Sequence, residues 1–190
     1  MRKSVWVFIL LGIGIAIALG TPRAHGETPA KSAAELEKEK ALKNPYPNDF
    51  GPGEVKDLSA YNAEQKSGYK LMMNKCAQCH TPSRPLNSQF IDMKEAELAA
   101  AKAKQPEMFK DKTIWQIETG IWQRYIKRMM AKPGCNISTE EGKKIWKFIV
   151  AYSINEKTGK NMEKWKTSRS QLMKDFKEKH PERYKELFQQ

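Results

Sequence analysis

Cys76-Ala-Gln-Cys79-His80 is the segment of this chain whose residue types and spacing define a chemistry. Two thiols separated by two residues, followed at once by an imidazole, form the pattern of covalent c-type haem attachment. The thiols add across the two vinyl groups of the macrocycle as thioethers, and their spacing matches the vinyl separation. The adjacent histidine reaches the iron from the same side and suits the duty of proximal ligand. Two rivals use the same residues. A thioredoxin-like redox pair wants a β-α-β setting, which the sequence pattern lacks. Half of a zinc site needs further ligands, and the other histidines are His25 and His180.

The elements that must position this motif read as helices. One helix is expected to start after Ser59 and run through Tyr69 to about Lys75, delivering Cys76 at its end. Glu95–Lys104 is rich in Ala, Lys and Glu and has high helix propensity. Ile114, Ile117, Ile121, Trp122, Tyr125, Ile126 and Met129 are spaced like one broad helix face beginning after Asp111. Pro133-Gly134 stops it. A last core helix opens at Ser138, with Glu141 at the capping-box position, and buries Ile145, Ile149 and Tyr152. No strand shows a convincing alternation, so the expected fold class is all-α.

On these residues the chain, over roughly 58–155, resembles the class I cytochromes c. In that family a helix carries a glycine eight residues before the first haem cysteine; Gly68 stands there, and Lys75-Cys-Ala-Gln-Cys-His-Thr81 follows the family pattern. The resemblance implies a cytochrome c fold in which the last helix crosses the first at Gly68, with Trp146, Ile149 and Tyr152 packing. It implies one covalent haem c on Cys76, Cys79 and His80. It also implies a methionine as sixth ligand, from the segment before the last helix. Met129 follows Arg128, as the family methionine often does, and Met130 is the alternative. His180 as a second histidine ligand and a five-coordinate iron are the remaining options. A proline carbonyl often receives the ligand histidine's N–H in the family, which makes Pro85 the candidate here. Arg84 is a candidate partner for a haem propionate or a solvated surface arginine. The sequence departs from the family at Met72, where an aromatic is frequent.

Around this core the chain divides into three further parts. Residues 1–26 have the layout of a secretory signal: Arg2 and Lys3, a 16-residue apolar stretch Val5–Gly20, then Ala24 and Gly26 before Glu27. The expectation is cleavage and export to the periplasm or an equivalent compartment, with an uncleaved membrane anchor as the alternative. Residues 27–57 read as a polar linker, with Ser32 and Glu35 capping a short helix Ala33–Lys43 and Asn44–Gly53 breaking regular structure. Residues 156–190 read as a basic amphipathic helical extension interrupted at Pro181.

The formal net charge is +12, of which the core carries +7 and the extension +4. Export argues against nucleic acid and for a basic rim, including Lys127, Arg128, Lys132, Lys143 and Lys144, that meets acidic faces of redox proteins. The expected function is an exported monohaem electron carrier and not an enzyme. The alternatives are a fixed haem subunit of a larger membrane-associated oxidoreductase complex, or a haem-based gas sensor. Cys135 is left over, as an inert thiol or an intermolecular disulfide.

Overall fold

Side-chain caps decide where three of the longer helices begin. In the computed structural model, which describes residues 30–189, α1 (Ala33–Lys43) opens at Ser32, whose hydroxyl accepts from Glu35 N while Glu35 accepts from Ser32 N. Helix α2 (Ala63–Cys76) opens at Asn62 with the same reciprocal bonding to Gln65. It starts later than the sequence suggested because Asn62, not Ser59, supplies the capping oxygen. A short helix α3 (Ser83–Leu86) follows the cysteine motif.

The first departure from an all-helical chain comes next. Strand β1 (Phe90–Asp92) and, beyond α4 (Glu95–Lys104), strand β2 (Gln116–Glu118) pair in parallel, with Ile91 opposite Ile117. Three-residue strands are too short for alternation to be read. Helix α5 (Ile121–Met130) is correspondingly shorter than the apolar spacing from Ile114 suggested. Gly120 takes φ +68°, which ends β2's extended path, and Asp92 of β1 then caps the new helix. Its carboxylate accepts from Gly120 N at 2.7 Å and Trp122 N at 3.2 Å. The fold remains mostly helical.

Helix α6 (Thr139–Lys157) opens at Ser138 with Glu141 in the expected capping box. It runs along α2 and forms the main core with it: Met72, Ile145, Phe148 and Ile149 are buried there, together with Tyr61, Leu86, Phe90, Ile121 and Trp122. The closest approach is at Gly68. A side-chain carbon there would fall on the Lys144 carbonyl oxygen, 2.7 Å from its carbon and 3.0 Å from Phe148 Cβ. Ile149 packs as expected and Tyr152 packs at the margin of this core, but Trp146 is exposed. Ile145, Phe148, Ile149 and Tyr152 are the positions of one 3.6-period face, and Trp146 lies off it.

Helices α7 (Met162–Lys179) and α8 (Pro181–Phe188) complete the chain, with Pro181 at the break. Helix α7 packs into the fold. It buries Trp165, Arg169, Met173 and Phe176, and Trp165 joins Ile91, Met108, Ile114 and Trp115 in a second core. The Asn44–Gly53 segment is likewise more than a tether, since it forms a 3-10 turn (Pro47–Phe50) with Pro47 and Asn48 buried. Residues from Lys31 onward form one compact unit. The expected signal, residues 1–26, lies outside the described residues.

Candidate functional site

The Cys76–His80 motif sits where α2 ends. Cys76 is the helix's last residue, and its carbonyl accepts from Cys79 N at 3.3 Å and His80 N at 3.1 Å. The motif is therefore one tight turn continuing the helix, with both thiols and the imidazole half-buried and both thiols free. The packing at Gly68 holds the helix that carries them.

The imidazole is oriented. His80 Nδ1 lies 2.8 Å from the Thr81 carbonyl oxygen, which can only accept, so Nδ1 bears the hydrogen and Nε2 keeps its lone pair. Burial pushes the imidazole below its ordinary pKa, against the Thr81 hydrogen bond, which favours the charged form. A neutral histidine with a free Nε2 is the form that binds a metal. The acceptor is Thr81 and not Pro85, whose carbonyl is used by Ser88 Oγ at 3.1 Å. Residues 83–88 turn back on themselves, which keeps the Pro85 carbonyl local.

The thiols are not disposed as a reactive redox pair. Reactive pairs have lowered thiol pKa values, often at a helix N-terminus. Cys76 stands at a C-terminus, and burial pushes its thiol up to about 12, with Cys135 and Cys79 adding to the rise. Cys79 is raised too, first by burial and then by Cys135. Cys135 stands in the loop between α5 and α6. The Lys75 ammonium fixes its loop, donating to Asn136 O at 3.0 Å and pairing with Glu141 at 3.3 Å.

Met129 and Met130 end α5, both half-buried. Met130 turns to α6: a side-chain carbon on Gly142 would come within 2.7 Å of its Sδ. Packing thus occupies Met130. His180 forms a three-ring cluster with Phe50 and Phe176, 5.1 Å from each ring centre. Of the basic residues on this side, Lys127, Arg128 and Lys144 are exposed, while Lys143 pairs with Glu140 and Lys132 with Glu37.

Two site residues have no signal in the motif. Arg84 is engaged within the chain: it forms a bidentate pair with Asp49 at 2.8 and 2.6 Å. Asp49 also accepts from Thr81 Oγ1 at 2.8 Å. Burial pushes the Asp49 carboxyl up, but the bonds from Arg84, Tyr46 N and Thr81 outweigh it and hold the group below its ordinary value. The sequence placed Asp49 in a linker; only the fold brings it to Thr81.

No protein-family model, curated protein or solved structure matches the chain.

Proposed function

We propose that this chain is an exported monohaem c-type cytochrome of the class I kind, carrying single electrons between redox partners. The observation that carries the reading is the C-x-x-C-H turn at the end of a helix locked at Gly68, with His80 held in the tautomer that frees Nε2. The donor chemistry fits the group: two free, weakly acidic thiols for the thioethers and one neutral imidazole for the iron. Bound covalently, haem c supplies a one-electron iron couple, whose potential a methionine ligand raises.

Within this reading each residue has a task. Cys76 and Cys79 anchor the macrocycle, and His80 ligates through Nε2. Met129 is the sixth ligand of this reading, with Met130, whose sulfur packs against Gly142, as the alternative. The chain itself does no bond-making chemistry after assembly, so it is a carrier and not an enzyme. The exposed Lys127, Arg128 and Lys144 steer acidic partner faces, with association that weakens as salt rises. The burial of α7 against the core supports a self-contained carrier. Exposed Leu36 and Leu42 on α1 favour the second reading, a fixed subunit of a membrane-associated complex.

A visible spectrum and redox titration of the exported protein test the first reading. The expected result is a covalent haem spectrum that survives acid-acetone extraction, with a methionine–iron charge-transfer band lost in Met129→Ala and kept in Met130→Ala. Size-exclusion of native extract separates the readings: a lone small species excludes the fixed subunit.

A further inference from the structure

We propose that Asp49 is a positioning residue for His80, acting through Thr81. The inference rests on the haem reading above. His80 Nδ1–H is spent on the Thr81 carbonyl at 2.8 Å, so that carbonyl sets the direction of the imidazole. Thr81 is itself held, because its Oγ1 donates to Asp49 Oδ1 at 2.8 Å.

Asp49 is built in rather than borrowed from the surface. Its side chain is 9% exposed. Tyr46 N donates to Oδ2 at 2.9 Å, Arg84 Nε to Oδ1 at 2.8 Å and Arg84 Nη2 to Oδ2 at 2.6 Å. The turn that carries it is held by the C-terminal helices in turn. Arg169 of α7 donates to Asn48 Oδ1 at 2.5 Å, and Arg183 of α8 donates to Pro45 O at 3.2 Å and stacks 5.1 Å over the Tyr46 ring. Segments on both sides of the core thereby converge on the residue that follows the histidine. An ion pair with Arg84 alone would not require the Thr81 bond.

A firmly held acceptor takes a stronger hydrogen bond from Nδ1–H, which makes the imidazole a more basic ligand and favours the oxidised iron. Cutting the Thr81–Asp49 bond relaxes the carbonyl and raises the reduction potential. Thr81→Val removes that bond and leaves the Asp49 charge in place; Thr81→Ser restores the hydroxyl. Asp49→Asn is a weaker test, since removing the charge alone raises the potential. Met173→Ala, a buried position of α7, is the control for lost stability without loss of the network.

The experiment measures, on the holoprotein, the reduction potential and the hyperfine-shifted proton resonances of the His80 ring. The expected result is a raised potential and moved ring resonances in Thr81→Val, wild-type values in Thr81→Ser, and wild-type values in Met173→Ala. Thr81→Ala replaces Thr81→Val if the branched side chain prevents folding. A haem-loaded Thr81→Val with unchanged potential and resonances overturns the positioning role alone. A wild-type chain that takes up no covalent haem overturns the haem reading and this inference with it.

Discussion

Gly68→Ala tests the helix crossing that holds the motif. On an open helix face the change is favourable, by about 1 kcal/mol, because alanine loses less backbone freedom on folding. At Gly68 the new carbon would fall on the Lys144 carbonyl, 2.7 Å from its carbon. Non-bonded carbons rest about 3.5–4.0 Å apart, so α6 must retreat by roughly 1 Å. The obstacle is the backbone of a helix whose Ile145, Phe148 and Ile149 are buried, so the retreat disturbs the whole core. Overpacking of this kind costs about 1–3 kcal/mol and occasionally more, and a backbone neighbour puts it at the upper end. After the propensity gain, the net loss is about 1–2 kcal/mol, or roughly 2–8 °C in Tm for a unit of this size. Thermal unfolding of the wild type and variant, followed by circular dichroism, measures it. A variant more stable than the wild type would show that α2 and α6 do not meet at Gly68.

Three further perturbations probe the surrounding structure. Gly142→Ala pushes on the Met130 sulfur, the end of a flexible side chain, so the fold should lose less than in Gly68→Ala and the methionine–iron band should persist; its disappearance would make Met130 the ligand. Arg169→Ala removes donors from Thr113 O, Asn48, Asn87 O and Gln89, and urea unfolding should show a loss of about 3 kcal/mol or more, whereas a change under 1 kcal/mol would mean that α7 is not anchored there. Lys157 is buried, bonded to Ser88 O, Phe90 O and Ser153 Oγ, and burial, with Arg169 adding, pushes its ammonium well below the ordinary 10.5. Unfolding therefore takes up a proton between the lowered value and 10.5, so stability rises with pH across that window. Lys157→Met should lose this slope on the alkaline side below 10.5, and parallel stability–pH curves for the two proteins there would contradict it.

Caps and the cysteine motif were legible in the sequence because each is local. Ser32 with Glu35 and Ser138 with Glu141 need only three residues of spacing, and both helices begin where those pairs place them. Gly68 was legible through its distance from Cys76, although the close approach it permits involves Lys144, far along the chain. The misplaced start of α5 had a different cause. Ile114 and Ile117 continue the apolar period, yet Asp92 from β1 caps at Gly120 and forces a new start. Such a cap depends on strand pairing that three-residue strands do not announce.

The same limit applies to the site. Nothing near Cys76 signals that Asp49 supports Thr81, because the partners lie 32 residues apart and meet only once the 3-10 turn is buried. Arg84 looked like a surface arginine for the same reason. Lys157 and Arg169, charged residues in an apparently solvated tail, proved fully buried and bonded mainly to carbonyls and amide oxygens. Composition cannot separate a solvating lysine from one that closes a core.

The central claim is that Cys76, Cys79 and His80 hold a covalent haem. The most direct measurement is the absorption spectrum of the purified exported protein in alkaline pyridine, with intact mass before and after. The account predicts the spectrum of a bis-thioether haem at one per chain and a mass increased by one haem, both abolished in a Cys76→Ala, Cys79→Ala double variant. A chain of unmodified mass, exported by a host competent in haem attachment, would contradict it.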